Sequence, residues 1–285
     1  MVTRRLLLSQ SLLVLGGCTF FKSDRQITLS KLLIGIVSYE EGDRSIEKYS
    51  KLINYLETET KSVIQLEPAF NEIKAVERIQ TASWDLVFAP PGLAAIAINK
   101  ARYSPLFPLQ GVSALQPILV VLKQSKINQI SDLTNQKVAL GQPGSATGYY
   151  VPLYNLYGLT LAETILAATP QRILELIAKG EVAAGALSQA EFDRYRSQFK
   201  DTEFRIIHRG ARVPAGAVAI GPNVERHQKE LITAAMTNVS PDLAQETGYI
   251  PNAKVPDYTM LMRMIERVKS IEVQIKEKPA RLVSS

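Results

Sequence analysis

The sequence holds little of the chemistry that most enzymes and metalloproteins use. Its 285 residues include one cysteine, Cys18, and two histidines, His208 and His227. A single cysteine excludes an internal disulfide framework. The histidines stand at no spacing typical of zinc ligands, and no cysteine or serine is placed beside one for nucleophilic chemistry. We therefore predict no metal, no cofactor and no catalytic residue.

Positive charge is in modest excess and is not concentrated in any one stretch of the sequence. The formal net charge is +6, from 33 Lys and Arg against 27 Asp and Glu. No run of basic residues is interleaved with aromatic residues, so nucleic acid is not an expected partner. Apolar residues make up 46% of the chain, which is enough for a sizeable core and excludes a disordered protein.

A hydrophobic run lies at the amino terminus and is too short to span a bilayer. Arg4 and Arg5 precede an apolar-rich run at 6–15, and Gly16, Gly17 and Cys18 follow it. This order is typical of an export signal. We predict a lipoprotein signal peptide at 1–17, lipidation of Cys18 as a membrane anchor, and a polar tether at 18–30. The protein is then exported, by the general or the twin-arginine route, to a periplasmic or other extracytoplasmic membrane face.

Apolar strands alternate with helical stripes along the rest of the chain. The pattern predicts strands at 31–37, 63–66 and 84–89, with helices between and after them, and a second unit that begins with a strand at 117–122. This alternation favours an α/β fold with parallel sheets. Because ligands bind at the carboxyl ends of such strands, Tyr39, Phe70 and Pro90 become candidate binding residues.

The most informative stretch is residues 138–152. It predicts a short buried strand, a turn at Gly141 and Gly144, and a helix that begins near Ser145 and Thr147. Free N–H groups and two hydroxyls at a helix start suit an anion, although an ordinary capped helix after a turn fits the same pattern. The glycine spacing matches neither the dinucleotide motif nor the P-loop, and Ser145 lies in no nucleophile elbow.

This stretch resembles the phosphonate/phosphite solute-binding proteins of ABC transporters. Asp132-Leu133, the strand at 137–141 and the run from Pro143 to Pro152 follow the order of that family's signature. The resemblance implies a two-lobed, type II periplasmic-binding fold in which each lobe is a mostly parallel sheet flanked by helices, with hinge strands between the lobes. It assigns 31–115 and 208–285 to lobe 1 and 116–207 to lobe 2.

The resemblance also implies a function. Such a protein, as a monomer, holds a small oxyanion such as phosphonate, phosphite or phosphate between its lobes and delivers it to an ABC transporter permease. The candidate ligand-binding residues are then Ser145, Ala146, Thr147, Gly148, Thr169 and Ser188, together with Tyr39, Phe70 and Pro90 from the first lobe.

Several positions depart from the family pattern. Ala146 replaces a threonine, Thr169 stands where others carry histidine, and Ala190 and Gly216 replace the acids of aminophosphonate binders. We therefore expect an amine-bearing ligand to gain no counter-charge. Two alternatives stay open: a degraded or repurposed sensor or structural lipoprotein of the same fold, and an exported hydrolase that uses Ser145.

Overall fold

The computed structural model of the chain describes residues 30–37, 42–111 and 114–283. The strands are β1 (Ser30–Val37), β2 (Ser62–Ala69), β3 (Leu86–Ala89), β4 (Ser104–Pro108), β5 (Ala114–Leu115), β6 (Pro117–Leu122), β7 (Lys137–Leu140), β8 (Thr160–Leu161), β9 (Glu163–Leu166), β10 (Ala184–Ser188), β11 (Phe204–Arg209), β12 (Val213–Pro214), β13 (Ala217–Ile220) and β14 (Ala280–Arg281). The α-helices are α1 (Gly42–Thr60), α2 (Glu72–Gln80), α3 (Pro91–Lys100), α4 (Val151–Leu156), α5 (Pro170–Ala178), α6 (Gln189–Tyr195), α7 (Arg226–Thr237), α8 (Pro241–Thr247) and α9 (Thr259–Lys269).

Two five-stranded sheets form the framework. The first has the order β2-β1-β3-β13-β4 and the second the order β11-β6-β10-β7-β9. Strands joined through helices pair in parallel, as β1 does with β2 and β3, and as β7 does with β9 and β10. The strands next to the two crossings between the sheets, β6, β11 and β13, pair antiparallel with their neighbours. The fold is therefore two mixed α/β sheets flanked by helices.

The two crossings between the sheets run side by side. The chain leaves the first sheet through β5 and enters the second at β6; it returns from β11 through β12 to β13. The strands β5 and β12 pair antiparallel, with Val213 opposite Leu115 and Pro214 opposite Ala114. β11 continues in the second sheet to Arg209, two residues beyond the lobe boundary expected from the sequence.

The core shows why one glycine is needed in β1. Trp84 is fully buried, and a Cβ atom built on Gly35 would lie 1.9 Å from the Trp84 ring. Only a residue without a side chain lets the indole pack flat against this strand. The strand predicted to begin at Trp84 begins at Leu86. Trp84 lies before the strand, and its ring packs against Gly35 of β1.

The carboxyl-terminal segment contacts elements from both halves of the fold. Helix α9 contacts α3 of the first layer and α4 of the second, and β14 pairs with β8. The buried cluster that contains Leu93 also contains Tyr149 and Val268, so one apolar layer connects the two halves. Within the described ranges, no helix combines the length and the apolarity that a bilayer crossing requires.

Candidate functional site

The motif at 138–152 lies at the carboxyl end of a central strand. β7 is parallel to both β9 and β10, so the carboxyl ends of all three strands meet at one edge of the second sheet. After β7 the chain turns through Gly144, whose φ of +114° is a conformation that side chains disfavour. A π-helical turn, Ala146–Tyr150, then runs directly into α4. The strand, turn and helix start expected from the sequence are thus present.

Ser145 organises the start of this helical segment. Its Oγ accepts a hydrogen bond from the Gly148 N–H at 3.0 Å, and its own N–H donates to the Gln142 carbonyl at 3.0 Å. The N–H groups of Ala146 and Thr147 have no acceptor among the described residues. The loop therefore carries two N–H groups without a described acceptor, beside the Ser145 hydroxyl hydrogen.

Two buried tyrosines support the loop from behind. The rings of Tyr149 and Tyr150 meet edge to face, with centroids 5.0 Å apart. Burial, and then the neighbouring Glu272 carboxylate, raises the pKa of both phenols, so both stay neutral at physiological pH. Burial also raises the pKa of Glu272, whose carboxyl forms a hydrogen bond with Tyr149. This packing fixes the loop on a rigid base.

A small cavity lies in front of the loop, between the carboxyl ends of the two sheets. Its volume is about 10 Å³, room for roughly one water molecule. A ligand of phosphonate size therefore requires the two halves to separate or side chains to move. The lining residues are Glu72, Gly141, Gln142, Ser145, Gly148, Ala167, Ala168, Thr169, Pro170, Ile173, Ala186, Leu187 and Glu191.

The structure brings three of the candidate residues to this cavity: Ser145, Gly148 and Thr169. Thr169 is the N-cap of α5, and its Oγ1 accepts a hydrogen bond from the Arg172 N–H at 3.2 Å. That bond leaves the Thr169 hydroxyl hydrogen available to an acceptor.

The other candidates are not among the residues that line the cavity. Ala146 and Thr147 are buried within the π-helical turn, and Ser188 is a buried N-cap whose hydroxyl donates to Glu191. Pro90 is the N-cap residue of α3, whereas Phe70 is 56% exposed after β2. Tyr39 and Cys18 lie outside the described residues.

Sequence reasoning missed three polar side chains that line the cavity: Glu72, Gln142 and Glu191. Glu191 receives hydrogen bonds from the Ser188 N–H and hydroxyl, both at 2.8 Å. Burial raises the pKa of Glu191, and these hydrogen bonds act in the opposite direction. The Ser-x-x-Glu capping pattern at 188–191 was readable from the sequence. A carboxyl group thus lies one residue beyond Ala190, and the expectation that an amine-bearing ligand gains no counter-charge stays a prediction.

Comparison with known proteins agrees with this architecture. XAC2383 from Xanthomonas citri, solved with a bound chloride ion and with ATP, superposes with TM-scores of 0.68 and 0.67, covering 83% of this chain and 95% of its own at 20% identity. PhnD1 from Prochlorococcus marinus, solved with methylphosphonate, gives a TM-score of 0.67 over 84% of this chain and 98% of its own at 15% identity.

A third solved structure is the binding-protein component of an ABC phosphonate transporter from Pseudomonas aeruginosa. It gives a TM-score of 0.65 at 13% identity and covers 87% of this chain and 88% of its own. At these identities the likeness shows the fold. No curated protein matches the sequence.

The family is shown by a sequence model rather than by these superpositions. Residues 34–265 match the model described as "ABC transporter, phosphonate, periplasmic substrate-binding protein". The match covers both sheets and the loop that holds Ser145. The chain belongs to the family of periplasmic substrate-binding proteins of phosphonate ABC transporters.

Proposed function

We propose that this protein is an exported lipoprotein, anchored through Cys18, that binds a small phosphonate-type oxyanion between two lobes and presents it to a permease. The observation that carries the proposal is the Ser145 loop. Two N–H groups that have no acceptor in the described part of the chain, and one hydroxyl, lie at the start of a helical segment, at the edge where the strands of the second sheet end. Such an arrangement suits a tetrahedral anion because fixed N–H dipoles replace its water.

The chemistry of the structural relatives supports an anion. PhnD1 was solved with methylphosphonate, and XAC2383 with chloride and with ATP. Each of these ligands carries negative charge, and each relative shares the fold of this chain. We infer a phosphonate, phosphite or phosphate for this protein on the same chemical grounds, with the Ser145 loop as its seat.

The proposed lobes follow the two sheets except at His208 and Arg209, which belong to β11 of the second sheet. Residues 31–115 and 208–285 form lobe 1 and residues 116–207 form lobe 2, and the paired strands β5 and β12 lie at the two crossings. Because these crossings are short, the lobes can rotate about them as rigid bodies, and the small cavity widens enough to admit a ligand. The contact of α9 and β14 with the second half adds a third connection that such a rotation must accommodate.

Calorimetric titration tests this proposal. Wild-type protein and the Ser145→Ala variant are each titrated with phosphite, phosphate and methylphosphonate. The variant loses one charge-assisted hydrogen bond and the cap on Gly148, so we expect at least about tenfold weaker binding, from roughly 1.5 kcal/mol or more. Ser240→Ala is the matched control, because Ser240 is also an N-cap serine but lies at the remote helix α8.

The same titrations, together with an assay for product release, separate the alternatives. A degraded or repurposed lipoprotein binds none of the three anions. A hydrolase releases product from phosphonate or ester substrates, and Ser145→Ala abolishes that release. Binding without product formation, weakened by Ser145→Ala and unchanged by Ser240→Ala, supports a solute-binding protein.

A further inference from the structure

Residues 270–283 form a tail segment that follows α9 and reaches the tyrosines behind the Ser145 loop. Glu272 lies in this tail segment, and its carboxyl group accepts a hydrogen bond from the Tyr149 hydroxyl. Tyr149 is 1% exposed and follows Gly148 directly in the chain. A residue far away in the sequence therefore holds the side chain that comes immediately after the loop.

The tail segment is fastened to the half of the molecule that contains the loop. The Leu282 carbonyl accepts a hydrogen bond from the Gly158 N–H at 2.7 Å, and the Leu282 N–H donates to the Leu159 carbonyl at 2.8 Å. The Thr164 hydroxyl of β9 donates to the Ile275 carbonyl. Both Ile275 and Leu282 are buried in the cluster that contains Tyr149. Glu272 is therefore held on a fixed base, between these attachments and α9.

The loop has a backbone conformation that needs such support. Its turn at Ala146–Tyr150 is π-helical, a form that is rare in proteins and occurs mostly as single turns at functional sites. The N–H groups of Tyr149 and Tyr150 both donate to the Ser145 carbonyl, at 3.2 and 3.0 Å. The direction of the Tyr149 side chain is thus tied to the shape of the turn. Holding the phenol fixes the turn, and with it the Ser145 hydroxyl.

The neighbouring tyrosine makes its hydrogen bond within the loop. The Tyr150 phenol forms a hydrogen bond with the backbone of Gly144, and its ring meets the Tyr149 ring edge to face. Glu272 is half-buried, and burial of a carboxyl group is costly unless hydrogen bonds compensate it. The bond from Tyr149 supplies such compensation and is the route by which Glu272 acts on the loop.

We infer that Glu272 is a positioning residue for anion binding. By accepting the hydrogen bond from Tyr149, it holds the π-helical turn in the shape in which the Ser145 loop binds an oxyanion. This inference rests on the proposed function. Glu272 is not among the residues that line the cavity, so its effect passes through Tyr149. The coupling is reciprocal by thermodynamic linkage: a bound anion stabilises the tail segment as much as the tail segment stabilises binding.

Two substitutions at Glu272 separate its hydrogen bond from its charge. Glu272→Gln keeps an oxygen that can accept from the Tyr149 hydroxyl, whereas Glu272→Leu removes the acceptor at similar size. In calorimetry with methylphosphonate, we expect Glu272→Gln to bind like wild type and Glu272→Leu to bind about tenfold more weakly. A carboxylate that acted through its charge would instead make both variants bind the anion more tightly, which would overturn the positioning role.

Tyr149→Phe tests the route from Glu272 to the loop. We expect it to weaken methylphosphonate binding by about tenfold, and the double variant with Glu272→Leu to bind no more weakly than either single variant. Tyr249→Phe is the matched control, because Tyr249 is also buried and donates to the Met236 carbonyl at 2.9 Å, in the core of the first sheet. We expect this control to lower the melting temperature and to keep wild-type affinity, which separates lost stability from lost positioning.

Hydrogen exchange measures the reciprocal effect and needs only wild-type protein for its main result. Saturating methylphosphonate should slow the exchange of backbone amides in the tail segment more than that of amides in α7. Glu272→Leu should lose this extra protection. Glu277→Gln, which alters an exposed side chain of the same segment, should keep it.

The outcomes separate this inference from the proposed function. If wild type binds methylphosphonate, and Glu272→Leu and Tyr149→Phe bind it equally tightly with no extra protection of the tail segment, the positioning role is overturned and the binding function stands. If wild type binds none of methylphosphonate, phosphite and phosphate, the proposed function fails and this inference fails with it.

Discussion

Gly92 and Gly144 touch across the crevice between the two halves of the molecule. A Cβ atom built on Gly92 would lie 2.1 Å from the Gly144 carbonyl oxygen and 2.8 Å from the Ala146 nitrogen. Both neighbours are backbone atoms, which cannot move aside by changing a rotamer. The start of α3 therefore closes directly onto the loop that holds Ser145, and the absence of a side chain at position 92 makes this approach possible.

The first prediction follows from this contact. Gly92→Ala should hold the two halves apart, because the added methyl group cannot fit in the closed arrangement. We expect a larger radius of gyration than wild type by small-angle scattering and at least about tenfold weaker methylphosphonate binding, since closure contributes to affinity.

Asn99→Ala, at the exposed far end of the same helix, is the control and should match wild type in both measurements. A Gly92→Ala protein with unchanged radius and unchanged affinity would show that the crevice does not close in this way.

The sequence predicted the regular elements well where local signals were strong. The strand at 117–122 is β6 without adjustment, and α5 begins at Thr169 and Pro170, an N-cap residue followed by proline that is a readable helix start. β4 was missed because it holds two prolines, which are tolerated there since β4 is an edge strand. Helix α8 was missed because it is short and polar, although Ser240 and Pro241 are a readable helix start.

The candidate site was only partly predictable, for a physical reason. Ser145 could be proposed because it lies at a helix start with a local signature, and Gly148 and Thr169 because they fall on positions of the family pattern that the chain resembles. Glu72 and Gly92 could not, because their importance arises from contact with Gly144, far away in the sequence. Nothing in the local pattern around either residue distinguishes it from an ordinary first turn of a helix.

The second prediction concerns the proposed membrane anchor at Cys18, which lies outside the described residues. Cys18→Ala removes the only thiol available for lipid attachment. We expect the variant to leave the membrane fraction or to retain its signal peptide, because stable attachment depends on covalently linked acyl chains. Cell fractionation with mass spectrometry of the amino terminus measures both effects. Wild-type protein whose mature amino terminus is not an acylated Cys18 would contradict the anchor.

The third prediction concerns acid stability and the carboxyl-terminal segment. Glu163 of β9 pairs with Lys137 of β7 at 3.1 Å and with Lys278, which precedes β14. Hydrogen bonds from Lys278 and then Lys137 lower the pKa of Glu163. A carboxyl whose pKa is lower in the folded state stabilises the fold above its unfolded pKa of about 4.3, and this contribution disappears as the pH falls through the lowered folded value.

Glu163→Gln removes this titration and keeps a side chain of similar size. The free energy of unfolding, measured by urea denaturation, should therefore fall less between pH 6 and pH 3 in the variant than in wild type. Glu230→Gln is the matched control, because the ion pair that Glu230 forms with Arg226 is exposed and lies within α7, away from the carboxyl-terminal segment, so the variant should keep the wild-type pH dependence. If Glu163→Gln and wild type lose stability in parallel over that range, the two lysines do not hold the carboxyl-terminal segment through an ionised Glu163. The contact between β14 and β8 must then depend on packing and backbone hydrogen bonds alone.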